Sequence, residues 1–134
     1  MGDILIEAMS NAHHKFYNTI GPFLSRREIV KELGCNVWDD DDKVWYVATK
    51  DGEVCGFVAA KRQGNNILFC SDYVRPKYRG QGIYSVLFAT RLYDYKNESV
   101  IATVTSKALD IYLANGFIET GKRGKYYMVK RDPK

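Results

Sequence analysis

The sequence predicts a mixed α/β chain in which an antiparallel meander leads into one βαβ crossover and then a closing hairpin, in the order α-α-β-β-β-α-β-α-β-β. Three observations carry this reading. Before Lys43 the apolar residues recur at helical spacing, whereas stretches 44–49 and 54–60 are rich in β-branched and aromatic residues. Residues 82–95 are apolar on most sides of a helix, as expected of a helix laid across a sheet. The short run 100–104 is continuously apolar, the pattern of a strand buried on both faces.

Taken in order, Asp3 can cap a first helix in which Leu5, Ala8, Met9, Ala12 and Phe16 follow helical spacing, with Gly21-Pro22 ending it. A short strand at Ile4-Leu5-Ile6 is the competing reading. Ser25-Arg26-Arg27-Glu28 is a capping box, in which a serine and a glutamate three residues apart satisfy each other's backbone N–H groups; the helix it opens stops at Gly34. Residues 35–42 form a loop. Asp51-Gly52 then joins two strands, since this dipeptide accepts the positive φ of a tight hairpin. Gly64-Asn65-Asn66 turns the chain into a third strand over 67–74, and Pro76, with no N–H to give a ladder, stops it. After the helix at 82–95 and the strand at 100–104, Thr105 or Ser106 caps another helix that ends at Asn115-Gly116. Strands at 117–120 and 126–130 close the chain across Gly121-Lys122-Arg123-Gly124.

A length of 134 residues fits one domain, 1–134, around a single core. Apolar residues at 46% and charged residues at 27% describe a globular rather than a disordered chain. No apolar run approaches the ~20 residues that span a bilayer, so no membrane partner is expected. The opening MGDILIEAMSNAHH lacks the basic region and small-residue cleavage site of a signal peptide, and Ile6 stands where a myristoylation motif needs Ser or Thr. A cytoplasmic location is expected. Three cysteines without C-x-x-C spacing argue against a disulfide framework or zinc ribbon. His13 and His14 are neighbours that point to different sides of a helix, so no metal site is expected. The net charge of +4 is dispersed, which makes a nucleic-acid partner unlikely because such binders concentrate their basic residues.

Between the third strand and the buried helix lies Arg79-Gly80-Gln81-Gly82-Ile83-Tyr84. A helix N-terminus offers unpaired N–H groups and partial positive charge to a phosphate, and glycines let the phosphate approach the backbone. Locally, an inert turn explains the two glycines equally well. Neither the dinucleotide pattern G-x-G-x-x-G nor a Walker A loop is present, since Ser85 stands at the third glycine place.

The wider stretch V-x-P-x-x-R-G-x-G-I, residues 74–83, resembles the acetyl-CoA-binding signature of the GNAT superfamily of N-acetyltransferases, with Arg79, Gly82 and Tyr84 in its three fixed places. A second segment, Ala108-x-x-x-Tyr112-x-x-x-Gly116-Phe117, is similar to a later motif of that family. The hairpin with Asp51-Gly52 and Gly56-Phe57 is similar to the family's second and third strands, so the resemblance covers roughly residues 43–130. Tyr84 departs from the glycine or alanine usual at its place, and Thr105 from an asparagine.

The resemblance implies a fold whose central strands splay apart near Val74 and residues 100–104 to admit acetyl-CoA as cosubstrate. It implies that amides of Arg79, Gly80, Gln81, Gly82, Ile83 and Tyr84 hold the pyrophosphate, with Thr105 near the CoA arm. Amides near Tyr73 and Val74 would hold the arm and polarise the thioester carbonyl. A primary amine, small-molecule or peptidyl, attacks directly in a ternary complex. Tyr112 would protonate the leaving thiolate, while Asp72, with Glu119 behind it or a water relay in its place, would accept the amine's proton. Arg75 and Lys77 are candidates for the 3′-phosphate, with solvated loop charge as the alternative. Cys70 has no histidine near it in sequence and reads as a small buried hydrophobe rather than a nucleophile. The four aspartates at 39–42 would favour a cationic acceptor if they bordered the site, though a solvated loop accounts for them too. A homodimer is left open. The rival reading keeps the fold but not the chemistry: a non-catalytic acyl-CoA-binding or interaction module.

Overall fold

A computed structural model describes residues 4–10, 19 and 43–133. The expected helix from the capping box at Ser25, the loop at 35–42 and the histidine pair lie outside the described residues. Seven strands form one sheet: β1 (Ile4–Met9), β2 (Lys43–Lys50), β3 (Glu53–Gln63), β4 (Asn66–Val74), β5 (Val100–Thr105), β6 (Ile118–Arg123) and β7 (Tyr126–Arg131). Two helices, α1 (Ile83–Asp94) and α2 (Ser106–Ala114), follow β4 and β5. The strand order is β1-β2-β3-β4-β5-β7-β6, antiparallel except for β4 with β5.

The meander follows from its turns. Asp51 and Gly52 both take positive φ, 53° and 80°, which is the backbone whose twist matches a tight hairpin. Gly64, at φ 61°, starts the next reversal. Alternation then sorts side chains to the two faces of β2. Trp45 and Val47 join Met9, Phe57, Ala59 and Tyr73 in one apolar cluster, while Tyr46 and Ala48 join Val58, Ile83 and Leu87 in another. Both faces are therefore dry, and β2 and β3 read as nearly continuous apolar runs. A third cluster places Phe88 of α1 and Tyr112 of α2 over Phe69, Val104 and Val129, so both helices cover one face.

The first expected helix is corrected at residues 4–9. These form edge strand β1, laddered antiparallel from Ile4 opposite Lys50 to Met9 opposite Trp45. Leu5, Ala8 and Met9 fit a helical period, but Ile4 and Ile6 also alternate, and both pack on the cluster beneath α1. Pairing with a long hydrophobic neighbour overrides a short helical pattern because it satisfies backbone and side chains together. The closing hairpin is also longer than expected. β6 runs on to Arg123 with an irregularity between Glu119 and Gly121, and the turn falls at Gly124, φ 59°.

Candidate active site

β4 and β5 are paired over only three residues, Ile67 with Val100 to Phe69 with Ala102. The bulge in β4 accounts for where they part. Phe57 pairs with Tyr73 and Ala59 with Cys70, so Val58 faces two residues of β4, and Ser71 adopts φ 58°. Such a bulge bends and twists its strand. Lys43 donates from Nζ to Ser71 Oγ at 2.9 Å, holding the bent segment to β2. β5 stays laddered to β7 along its whole length, so β4 diverges from it and a cleft of about 830 Å³ opens between them.

One end of the cleft is the start of α1. Gly82 is the helix N-cap in the left-handed conformation, φ 81°, and Gly80 also has positive φ, 78°. A Cβ on either glycine would meet nothing within 4 Å, so these positions need glycine for backbone conformation and leave open space above it. No side chain caps the first turn. Gly80, Gly82, Ile83, Tyr84 and Ser85 all line the cleft, which places the N-terminal end of a twelve-residue helix at its wall. Arg79 turns back and donates from Nε to the Val74 carbonyl at 2.7 Å, tying the loop to the end of β4.

Deeper in the cleft, four side chains share one hydrogen-bonded cluster. Arg91 of α1 donates from Nη1 to Asp72 Oδ1 at 2.7 Å and from Nη2 to Oδ2 at 3.0 Å. Tyr112 and Tyr84 both donate to Asp72 Oδ2, at 2.8 and 2.5 Å. Arg91 also donates to the Ala59 carbonyl at 2.9 Å, and from Nη2 to the Tyr112 hydroxyl at 3.3 Å. The guanidinium lies 3.9 Å from the Phe69 ring centroid, a cation–π contact within an otherwise apolar setting.

The electrostatics follow from burial and from Asp72. Burial raises the Tyr112 phenol well above its ordinary range, and the Asp72 charge raises it further. Tyr84 is raised by the same two causes in the same order. Burial alone would lower Arg91, but the Asp72 carboxylate outweighs it and holds the guanidinium charged. Burial likewise raises the Cys70 thiol, which keeps it from being a ready nucleophile.

Of the residues singled out from sequence, Asp72, Tyr73, Val74, Arg79, Gly80, Gly82, Ile83, Tyr84, Thr105 and Tyr112 all line the cleft. Gln81 does not; its amide lies 3.4 Å from the Lys77 carbonyl on the outer side of the loop. Glu119, the second carboxylate considered, sits exposed on β6 opposite Val129 and off the cleft wall. Arg75 and Lys77 converge on Glu53 at 2.7 and 2.6 Å rather than on the cleft. Tyr84 does not fill the loop above the glycines. Its ring turns inward onto Asp72 and meets Phe88 edge-on at 6.2 Å. Arg91 was not anticipated. The available signal was its place in a helical stripe with Ile83, Leu87 and Phe88, where a charge is out of keeping unless paired.

A family model described as an acetyltransferase (GNAT) domain matches residues 41–119. No curated protein matches the chain. Among solved structures, Escherichia coli ElaA superposes with a TM-score of 0.79 at 13% identity, covering 96% of this chain and 99% of that one. The PaiA N-acetyltransferase from Thermoplasma acidophilum, in complex with coenzyme A, gives 0.63 at 16% identity, covering 97% and 99%. A GNAT family acetyltransferase from Elizabethkingia anophelis with acetyl-CoA bound gives 0.67 at 13% identity, covering 96% and 97%. At such identities the superpositions speak for the fold, and the family match for membership. Together with the parted strands and the helix end between them, they establish that this chain belongs to the GNAT acetyltransferase superfamily.

Proposed function

We propose that this chain, acting as one domain, transfers an acetyl group from acetyl-CoA to a primary amine by direct attack in a ternary complex. The observation that carries the proposal is the cleft itself: it joins a helix N-terminus at one end to a tyrosine–carboxylate pair on its wall.

The parts divide as follows. Backbone amides of Gly80, Gly82, Ile83 and Tyr84 hold the pyrophosphate, favoured there by the helix dipole; the Arg79 amide, also expected there from sequence, already donates to the Pro76 carbonyl at 3.2 Å. Gln81 contributes through its amide alone, since its side chain is turned away. Beyond Phe69 the β5-facing edge of β4 has no strand partner among the described residues, which supports amides near Tyr73 and Val74 holding the CoA arm and polarising the thioester carbonyl. Thr105, on the opposite wall, makes no capping bond with its hydroxyl and lies where the arm would pass. Tyr112 donates a proton to the leaving thiolate and Asp72 takes up the one released by the amine. The structural relatives bound to coenzyme A and acetyl-CoA support the choice of cosubstrate. Among the described residues no helix is long and apolar enough to cross a membrane, and a small-molecule or peptidyl acceptor suits the open cleft.

A second reading has an observation of its own. Both Asp72 oxygens already accept hydrogen bonds, and the Tyr112 hydroxyl is donated to Asp72 rather than held toward the cleft. A chain that binds acyl-CoA without turning it over would be built that way too. Thiol release from acetyl-CoA in the presence of a broad amine panel separates the two: amine-dependent release supports transfer, and binding without release supports the module.

A further inference from the structure

The sharing of one Asp72 oxygen by two phenols is not explained by either reading alone. Tyr84 and Tyr112 come from different helices, twenty-eight positions apart in the chain, yet both donate to Oδ2, at 2.5 and 2.8 Å. Arg91 occupies Oδ1 and the remaining side of Oδ2. The environments of the two phenols differ. Tyr112 is 1% exposed, whereas Tyr84 is only partly buried and stands at the cleft wall beside the helix start. Asp72 itself has 15% of its side chain exposed. A solvated carboxylate would suffice for a base working alone; here the carboxylate is instead strung between a partly buried phenol at the cleft wall and a fully buried one.

Resting on the acetyl-transfer reading, we infer that Tyr84, Asp72 and Tyr112 form one proton relay for that reaction, with Arg91 as the positioning residue that fixes its central carboxylate. The step balances internally. The amine nitrogen forms the C–N bond, the C–S bond breaks, and the electron pair leaves on sulfur. The surplus N–H proton passes to the Tyr84 oxygen as Tyr84 gives its own proton to Asp72 Oδ2. Once protonated, Asp72 becomes the donor to the Tyr112 oxygen, which frees the Tyr112 O–H from its bond to Asp72 to turn toward the cleft. Asp72 passes its proton to the Tyr112 oxygen as Tyr112 protonates the thiolate. The net result is one proton lost by the amine and one gained by CoA, every relay group returns to its starting protonation state, and no outside acid or base is required. The same arrangement gives Tyr84, the chain's departure from the small residue of its motif, a use.

Arg91 contributes through geometry. Its two N–H groups fix the carboxylate plane, its bond to the Ala59 carbonyl fixes the guanidinium to β3, and its contact with the Tyr112 hydroxyl sets that phenol's direction. Lysine, a point charge without the fork, cannot do all three.

A double-mutant cycle on the full chain, with steady-state kinetics and calorimetric CoA titration, tests the relay. Tyr84→Phe and Tyr112→Phe should each lower kcat by about 100-fold, in the range of a lost proton-transfer group, with CoA affinity unchanged because the cradle is backbone. The double variant should lose no more than the worse single one, since either break interrupts the same path. The proton inventory in mixed light and heavy water should be curved for the wild type and linear for Tyr84→Phe. Losses that multiply, or a Tyr84→Phe enzyme with wild-type kcat, would overturn the relay while leaving acetyl transfer standing. A wild-type chain that binds CoA but transfers to no amine would overturn both. Arg91→Lys should lower kcat with KM for acetyl-CoA and CoA affinity held; equal losses in all three would make its role structural only.

Discussion

Arg91 and Asp72 face each other as a two-pronged ion pair in which the cation is fully buried and the anion keeps a narrow opening to the cleft. Removing one member leaves the other's charge uncompensated, which costs roughly 3–5 kcal/mol when the pair is buried. Arg91→Met should therefore lower the urea midpoint strongly, with the exposed fraction of Asp72 holding the loss toward the lower end. Arg91→Met combined with Asp72→Leu should recover part of it, because no charge is orphaned, while the Tyr84 and Tyr112 hydroxyls lose their acceptor and hold the recovery short of wild type. Additive losses in the two-residue variant would show that the pair is not coupled.

The proposed cradle can be blocked without touching the network. Gly82 has open space around its missing Cβ but a left-handed backbone, so Gly82→Trp both strains the helix start and puts a large ring where the phosphates would lie. CoA binding, followed by calorimetry, should be lost while the far-ultraviolet circular dichroism stays close to wild type. Unchanged affinity would sink the cradle assignment.

Gly56 carries a different demand. Paired with Val74, it lies so close to β4 that a Cβ would fall 2.5 Å from the Tyr73 carbonyl oxygen and 2.9 Å from Val74 Cα. Backbone cannot swing aside as a side chain can. Gly56→Ala should destabilise the fold by about 1–3 kcal/mol or more, the usual range of overpacking, and weaken CoA binding by displacing the end of β4. A stable Gly56→Ala variant with normal affinity would show that β4 is looser there than its bulge implies.

Cys70 lines the cleft beside Asp72, but burial raises its thiol. Alkylation by iodoacetamide near pH ~8, close to where a free thiol titrates, should be much slower than for a free cysteine. Cys70→Ala should keep kcat within about threefold, since a thiol used only for packing contributes no chemistry. Loss of turnover on that substitution would revive a covalent acyl intermediate.

Several of these features were open to sequence reasoning, and the reasons differ. The Asp51-Gly52 hairpin is legible because few residues accept two successive positive φ angles. The glycine loop at the start of α1 and the place of Tyr112 on the cleft wall are legible through paired motifs of fixed spacing on successive helices. Asp72 could be named as a carboxylate on the right strand, but its engagement could not. A bulge at Ser71 decides which way that part of β4 faces, and nothing local in Cys70-Ser71-Asp72 announces one. Arg91 needed the opposite inference, from a helix period that places a charge among Ile83, Leu87 and Phe88, and the partner that makes this tolerable comes from another element. β1 was obscured for the same reason: residues 4–9 have two periodicities, and only the ladder to β2 selects between them.

The central claim is that the cleft between β4 and β5 moves an acetyl group from acetyl-CoA to an amine. Continuous measurement of free thiol, with the chain, acetyl-CoA and a broad panel of primary amines that includes cationic ones, tests it most directly. The account predicts amine-dependent thiol release in the wild type, falling about 100-fold in Tyr112→Phe, the scale of a missing proton donor, with CoA affinity retained. Tight CoA binding with no amine-dependent release from any panel member, or full activity in Tyr112→Phe, would contradict it.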